Sequence, residues 1–287
     1  MSDIAIGIIG GSGLYDMGGL NVVNERVIST PFGDPSDAYV IGDIDGVKVA
    51  FLARHGRGHR YMPTEVNYRA NVYGFKTLGV HTILSASAVG SMKVGYAPTD
   101  IVFPHQFIDR TRHRADSYFG HGIVAHVAFA DPICTGAAAL MAQAGREQGA
   151  KIHEGGVYVC IEGPQFSTRA ESHLYRSWNV DVIGMTNLTE AKLAREAELC
   201  YVTMALVTDY DCWHESGDVS VEQILGYLRA NAEMAQKIIR ATIPLVAKRK
   251  RDCGCANALQ YAIVTDRTRI PLKVQQDLAP LIGKYIF

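Results

Sequence analysis

The sequence lacks long apolar runs and lacks a strong excess of either charge. No apolar stretch reaches about 18 residues, the length that marks a candidate membrane-spanning helix, so we expect no membrane segment. The formal net charge is -1, so the chain has no overall basic character of the kind that binds nucleic acid. The one basic run, at 248–251, follows a predicted helix end, where it complements the helix dipole.

The sequence also lacks a targeting signal and a recognisable metal-ligand spacing. No basic segment followed by an apolar run opens the chain, so we expect no signal peptide and a cytoplasmic protein. Six cysteines are scattered along the chain, at Cys134, Cys160, Cys200, Cys212, Cys253 and Cys255. Without zinc-ligand spacing, most are predicted to be small core residues, and we expect no metal. The CGC motif at 253–255 fits a strained disulfide, a metal clip or two thiols, of which reduced thiols suit the cytosol.

Strand-like and helix-like segments alternate along the 287 residues, of which 48% are hydrophobic. That order is typical of an α/β protein, and the length lies near the upper limit for one domain. We therefore predict a single domain over 1–287 with a mixed central β-sheet flanked by helices. Residues 250–287 form a C-terminal tail that carries the CGC motif.

The local patterns predict several elements with defined ends. Asp45 and Gly46 form the turn of a β-hairpin. Helical spacing covers 64–78, 136–149, 169–178 and 188–198; the first segment is followed by Gly79 and the second is stopped by Gly149. Ser220 and Gln223 resemble a capping box before a long amphipathic helix, and a last helical piece follows Pro271.

Small or polar residues follow several of the predicted strands. They occur at Gly10–Gly13, Arg54–His55, Ser85–Gly90, Met185–Asn187 and Thr208–Asp211. In open α/β sheets, ligands bind at the carboxyl ends of the strands. The sequence therefore predicts that these segments converge on one pocket.

The first glycine-rich turn does not fit a dinucleotide-binding fingerprint, because the third glycine of that pattern would fall on Asp16. The turn fits either an anion nest completed by the Ser12 hydroxyl or a simple tight turn. Arg54 and His55 fit a bidentate phosphate fork with a second donor, or else a solvated basic loop. No Walker lysine or acidic metal cluster is present, which favours inorganic phosphate without magnesium.

Asp209 and Asp211 follow a buried strand and are separated by Tyr210. In an extended segment both carboxylates would point to the same side. Repulsion and burial favour one neutral and one ionised acid, which suits a purine: the neutral acid donates to N7 and the carboxylate accepts from a 6-amino group. The alternative is an ordinary surface turn.

Six stretches together resemble the 5'-methylthioadenosine phosphorylase family of the trimeric purine nucleoside phosphorylase superfamily. They are GIIGGSGLYD, TPFGDPSDAYVIG, ARHGRGHRYMPTEVNYRAN, HQFIDRT, IEGPQFSTRAES and VTDYDCW. The similarity covers nearly the whole chain, about residues 4–245. It implies the nucleoside phosphorylase fold and an enzyme that needs no cofactor and uses phosphate as co-substrate.

The resemblance also implies roles for individual residues. Phosphate is held by Ser12, Arg54, His55, Ser87, Ala88 and Thr186. Met185 lies under the ribose, and Phe166 and Ser167 border the base. Tyr210 also belongs to the substrate site, between the two acids that contact the base. Asp209 protonates N7, Asp211 accepts from the 6-amino group, and His126 reaches a neighbouring subunit's site. Val221, Ile224 and Leu225 line a methylthio pocket, although their spacing also fits a core-facing helix stripe.

The implied reaction is phosphorolysis of 5'-methylthioadenosine to adenine and 5-methylthioribose 1-phosphate, in a trimer or a dimer of trimers. A phosphorylase of broader specificity, for adenosine or for inosine and guanosine, is one alternative. Asp211 argues against the inosine and guanosine form, because such relatives typically carry asparagine at the base contact. A non-catalytic nucleoside-binding protein on the same fold is the other alternative.

Overall fold

The structure is a computed structural model that describes residues 4–14, 17, 20–214 and 221–286, with the backbone alone for 221–224. The described residues form one eleven-stranded mixed sheet with helices packed against it. The strands are β1 (Ile6–Gly10), β2 (Asn21–Arg26), β3 (Tyr39–Ile44), β4 (Val47–Ala53), β5 (Thr82–Ser91), β6 (Ile101–Phe103), β7 (Gln106–Arg110), β8 (Ile152–Glu154), β9 (Val157–Ile161), β10 (Val182–Gly184) and β11 (Cys200–Asp209).

The helices are α1 (Tyr68–Thr77), α2 (Thr135–Glu147), α3 (Arg169–Ser177), α4 (Asn187–Glu196), α5 (Val221–Lys248), α6 (Leu272–Asp277) and α7 (Ala279–Ile286). Helix α5 packs on α2 and on the sheet through a buried stripe that includes Ala235, Ile239 and Ile243. Within the described residues, no helix is long and apolar enough to cross a bilayer.

Strand β5 is the branch point of the sheet. The strand order is β2-β3-β4-β1-β5-β10-β9-β7, while β11 pairs with the other edge of β5 and leads on to β6 and β8. β1, β5 and β11 are parallel and fully or almost fully buried, which explains why β1 and β11 are largely apolar without alternation. β5, with the sequence TILSASAVGS, also buries several hydroxyl side chains.

One edge of β5 contains a gap between two partner strands. β5 pairs with parallel β1 as far as Ala86 and with antiparallel β10 only at Gly90 and Ser91. The carboxyl ends of β1 and β10 therefore point toward each other across the gap. No described strand pairs with this edge at Ser87–Val89, whereas β11 continues along the opposite edge. The candidate site lies at this gap.

Several predicted elements are confirmed with small shifts in their ends. The hairpin turn has positive φ at both Asp45 (51°) and Gly46 (82°), as a two-residue turn between twisted strands requires. Helices α1 and α2 end just before Gly79 and Gly149, which both have positive φ. Helix α1 begins at Tyr68 because Asn67 caps it by accepting from the Ala70 N–H. The predicted capping residue Ser220 lies outside the described residues.

The sequence patterns did not predict β2, β6, β7 and β8. β2 is exposed along its whole length, and β6 and β8 have three residues each, too few to show a period. β7 carries no buried residue, although it pairs with β9. Pairing with neighbouring strands, rather than any alternation of their own, makes these segments strands.

Four of the six cysteines are buried, as predicted, and four that come from distant parts of the sequence lie together in the structure. Four sulfur atoms, from Cys134, Cys200, Cys253 and Cys255, all lie within 4.8 Å of one another. Cys160 and Cys212 lie outside this cluster, and all six are free thiols. The cluster joins the start of α2, the start of β11 and the segment that follows α5.

Candidate active site

A cavity of about 380 Å³ opens at the gap beside β5. It is lined by eleven of the residues predicted from the sequence: Ser12, Arg54, His55, Ser87, Ala88, Phe166, Ser167, Met185, Thr186, Asp209 and Asp211. These residues come from six separate segments of the chain. The predicted convergence of strand ends on one pocket is therefore confirmed.

The backbone of Ala88 presents a donor to the gap. The Ala86 carbonyl faces this edge, where it accepts from the Gly11 N–H at 3.1 Å and from Arg54 Nη1 at 3.0 Å. Because backbone groups alternate between the two edges of a strand, Ala88 faces the gap as well. The Val89 carbonyl faces the other way and accepts from Thr208 Oγ1. The Ala88 N–H is thus available to a ligand.

Helix α4 starts at the same place. Thr186 is its N-cap residue, is almost fully buried, and uses no side-chain hydrogen bond to cap the helix. The N-terminus of a helix carries partial positive charge and free N–H groups, which favour an anion. The Thr186 hydroxyl, the end of α4 and the Ala88 N–H therefore gather donors at one end of the cavity, which we call its anion-binding end because such donors favour an anion.

Glu190 occupies the Nε and Nη2 face of Arg54, which is a face that the predicted bidentate phosphate fork could use. Arg54 is completely buried, and it donates through Nε and Nη2 (3.1 Å) to the Glu190 carboxylate. Nη2 also donates to Ser85 Oγ at 2.7 Å. Burial alone would lower the pKa of Arg54, but the Glu190 charge raises it above its ordinary value. Only the Nη1 side remains to face a ligand.

A polar network holds the Arg54–Glu190 pair in place. Tyr201 and Ser85 donate to Glu190 Oε2 at 2.7 and 2.9 Å. The Asn187 amide donates to Tyr201 Oη and Ser85 Oγ, and its oxygen accepts from Ser87 Oγ at 2.5 Å. The Ser87 proton is therefore directed at Asn187, and Ser87 must rotate its hydroxyl before it can donate to an anion.

His55 is an acceptor rather than the predicted second donor. Its Nδ1–H donates to the Tyr61 carbonyl at 2.8 Å, and its ring stacks on His59 at 4.4 Å. Burial and the nearby Arg54 charge lower the pKa of His55 to about 4, so the ring is neutral at physiological pH. In that tautomer Nε2 has a lone pair that accepts from a protonated phosphate oxygen or a sugar hydroxyl.

The two acids reach the cavity by a turn and not by strand alternation. β11 ends at Asp209, and Asp211 begins a short 3-10 turn with φ of 52°. The Asp211 N–H donates to Asp209 Oδ1 at 2.8 Å, while Ser167 Oγ lies 2.8 Å from Asp211 Oδ2. Burial raises the pKa of Asp209, and the Asp211 charge adds to the shift. The pKa of Asp209 is thus shifted in the direction that suits a proton donor.

Glycine at position 90 makes room for this arrangement. A Cβ at Gly90 would lie 2.9 Å from Asp209 Oδ1 and 3.0 Å from Ile183 Cγ2. The Asp209 carboxyl therefore lies directly over the β5 backbone. Along β5, Gly90 is three residues beyond Ser87, which separates the acid pair from the anion-binding end by about 10 Å of backbone.

Other predicted site residues do not line the cavity. Tyr210 is turned away, donates to the Val94 carbonyl at 3.3 Å and stacks on His214. The side chain of His126 is exposed, and its backbone N–H donates to the Ala262 carbonyl at 2.8 Å. Leu225 is 54% exposed, and the side chains of Val221 and Ile224 lie outside the described residues.

Several residues of the site were not predicted as site residues. Leu228 of α5 and the segment 59–63 line the cavity together with the predicted set. Glu190 and Asn187 lie beneath the cavity, in α4. The sequence did contain a signal for them, since both lie on the buried face of a helix. A buried charged side chain needs a partner, so Glu190 indicated a buried cation nearby.

The fold and the cavity together define a class: an α/β protein with an anion-binding end and a pair of acids in one pocket. Residues 5–244 match the model of the phosphorylase superfamily, and the chain belongs to that superfamily. The chain is 58% identical over 283 residues to S-methyl-5'-thioadenosine phosphorylase of Geobacter sulfurreducens, with 98% of this chain and 99% of the relative covered. It is 57% identical to the S-methyl-5'-thioadenosine phosphorylase of Koribacter versatilis, with 98% of this chain and 96% of the relative covered.

Solved structures agree with this membership. A methylthioadenosine phosphorylase from an antarctic soil metagenomic library superposes with a TM-score of 0.92 at 48% identity, covering 98% of this chain and 99% of that one. Methylthioadenosine phosphorylase from Schistosoma mansoni, in complex with adenine, gives a TM-score of 0.83 at 33% identity, with 98% of both chains covered. The predicted nucleoside phosphorylase fold is therefore confirmed.

Proposed function

We propose that this protein is a 5'-methylthioadenosine phosphorylase, a pentosyltransferase that releases adenine and forms 5-methylthioribose 1-phosphate. The observation that supports this best is that one cavity contains both the anion-binding end and Asp209, an acid of raised pKa. Asp209 lies over Gly90, three residues beyond Ser87 along β5. Relatives of that name match the chain over nearly its whole length. Phosphate is a co-substrate here, and no cofactor takes part.

Phosphate binds at the gap between β1 and β10. The Ala88 N–H, the Thr186 hydroxyl and the end of α4 donate to it, and Ser12 completes the site from the glycine-rich turn. Arg54 contributes positive charge through Nη1, and the ion pair with Glu190 partly neutralises that charge. These groups orient phosphate for attack on the anomeric carbon, and positioning of this kind contributes much of the rate enhancement.

Asp209 acts on the leaving base. As the bond between the sugar and N9 breaks, negative charge develops on adenine, and the protonated Asp209 donates to N7. Asp211 is held by Ser167 and accepts from the 6-amino group. Proton donation in the transition state contributes about 100- to 10,000-fold.

The 5' end of the substrate lies toward α5 and the mouth of the cavity. Leu228 lines the cavity, and Phe166 at the cavity is 72% exposed. In the proposal, a neighbouring subunit of a trimer, or of a dimer of trimers, covers this mouth and supplies His126, which is exposed in the single chain. Residues 1–287 act as one domain in a cytoplasmic enzyme.

One assay tests the function. Methylthioadenosine, adenosine, inosine and methylthioinosine are compared with and without phosphate, and release of the free base is measured. We expect phosphate-dependent release of adenine, fastest from methylthioadenosine and about 10- to 200-fold slower from adenosine, because an apolar pocket rejects an added hydroxyl only weakly. Release without phosphate, or binding without turnover, would contradict the proposal.

Changing Asp211→Asn should relax the choice between 6-amino and 6-oxo purines. A carboxylate opposite a 6-oxo group places acceptor against acceptor, whereas the asparagine amide can donate to it. The unmet contact costs about 1 to 3 kcal/mol, so the kcat/KM ratio of methylthioadenosine to methylthioinosine should fall by about ten- to a hundredfold. Ser167→Ala, which loosens Asp211 but keeps the carboxylate, is the matched control and should retain the preference for adenine. An unchanged kcat/KM ratio in Asp211→Asn would show that Asp211 does not select the 6-amino group.

Changing Gly90→Ala should displace Asp209 while leaving the strand intact. The added Cβ would lie 2.9 Å from Asp209 Oδ1, so the carboxyl must move. A displacement of about 1 Å lowers kcat by about a hundredfold. Gly95→Ala is the control, because a Cβ at Gly95 has no neighbour within 4 Å. Equal activity of the two variants would show that Asp209 need not lie over β5.

A further inference from the structure

A cluster of four cysteines lies outside the cavity and has no part in the proposed function. Cys134 precedes α2, Cys200 is the first residue of β11, and Cys253 and Cys255 follow α5. Their sulfur atoms all lie within 4.8 Å of one another. Three of the four residues are buried, and Cys253 is half-buried.

The spacing within this cluster matches a tetrahedral metal centre. Four thiolates at about 2.3 Å from a zinc ion lie about 3.8 Å from one another at the corners of a tetrahedron. The Cys253 sulfur lies 3.8 Å from that of Cys134 and 3.4 Å from that of Cys200. A disulfide would need one pair at about 2.05 Å, and here Cys253 is similarly close to two different partners.

The surroundings of the cluster favour negative charge on the sulfurs. Cys134 is the N-cap residue of α2, where the helix dipole favours an anion. Arg249 Nη1 donates to Cys134 Sγ at 3.6 Å. The Arg249 guanidinium also packs on Gly136 in the first turn of α2, where a Cβ would collide with Nη2. Arg249 also pairs with the Asp252 carboxylate at 3.3 Å, and its contact with Cys134 places positive charge beside that sulfur, which favours the thiolate.

We propose that Cys134, Cys200, Cys253 and Cys255 form a structural tetrathiolate site for Zn²⁺. Thiolate ligands in a tetrahedral arrangement select zinc among common divalent cations. Binding of one Zn²⁺ to four thiols releases four protons to solvent, and no electron is transferred. The resulting centre carries two negative charges, which Arg249 partly offsets.

The site links the C-terminal tail to the core. Cys134 and Cys200 belong to core elements, whereas Cys253 and Cys255 begin the tail that runs to α7. Further along, the tail pairs with the segment around His126 through the bridge between Ala125 and Ile263. A metal at the cluster therefore fixes the start of the tail that supports this segment.

Metal analysis tests the proposal. The full chain is purified under reducing conditions without a metal-affinity step, incubated with Zn²⁺, desalted and analysed for zinc. We expect about one zinc per chain in the wild type, and below about a tenth of that in Cys253→Ser/Cys255→Ser. Cys160→Ala removes a buried cysteine outside the cluster and should keep the full amount. Cys253→His should also bind zinc, because imidazole is an alternative zinc ligand.

Cobalt gives an independent readout of the ligands. Replacement of zinc by Co²⁺ should produce sulfur-to-metal charge-transfer absorption in the near ultraviolet and the strong visible bands of tetrahedral cobalt. Both should be absent in Cys253→Ser/Cys255→Ser. Wild-type protein that contains six titratable thiols and takes up neither metal would overturn the proposal. The proposal would also be overturned if the cluster thiols formed disulfides with one another even in protein purified in reductant.

Discussion

The variant Asp209→Asn should lose about 100- to 10,000-fold in kcat/KM for methylthioadenosine, because asparagine cannot give a proton to the departing adenine. The variant keeps the size of the side chain, and its amide can still accept from the Asp211 N–H. Binding of phosphate should stay close to that of the wild type, since Asp209 lies about three residues of β5 away from the anion-binding end. Steady-state kinetics with each substrate varied in turn separates the two effects.

Two measurements separate proton donation from simple damage to the site. Activity of the wild type should fall as pH rises through the raised pKa of Asp209, because the reactive form is the protonated acid, and this alkaline limb should be missing in Asp209→Asn. In 4-nitrophenyl 5-methylthioriboside the leaving group is 4-nitrophenolate, which departs without protonation. The variant should therefore cleave this substrate nearly as well as the wild type does. An equal loss on both substrates would indicate that Asp209 positions the base without protonating it.

The sequence predicted the place and most of the membership of this site. Glycines, hydroxyls and charged residues at strand ends are local features, and parallel strands bring their carboxyl ends together, so Ser12, Thr186 and Asp209 could be placed in one pocket. The gap in β5 could not be predicted in this way. It depends on β1 and β10 pairing with the same edge from opposite directions, which is a property of the topology.

The hydrogen-bond roles were the least predictable part. Arg54 and His55 were placed correctly, yet the partner of Arg54 lies 136 residues away in α4, and the tautomer of His55 depends on the Tyr61 carbonyl. Residue type indicates what a side chain can do, whereas its partners decide which of those roles remains. The four cysteines illustrate the same limit, because their sequence separation conceals a spatial cluster.

Removing either member of the Arg54–Glu190 pair should be among the most destabilising single changes in the chain. Both side chains are at most 2% exposed, so Arg54→Met or Glu190→Leu leaves a buried charge without its partner. Each should lower the free energy of unfolding by about 3 to 5 kcal/mol. Urea unfolding at one fixed protein concentration measures this loss and keeps any contribution from association constant.

The double variant Arg54→Met/Glu190→Leu should be more stable than either single variant, although it lacks the Arg54 charge and should bind phosphate poorly. Removing both charges removes the uncompensated one, and apolar side chains of similar volume refill the site. The Ser85 and Tyr201 hydroxyls lose their Glu190 acceptor, which keeps the double variant below the wild type. Additive losses would show that the two residues act independently, and the pair would then not explain why Arg54 lies fully buried beside an anion-binding site.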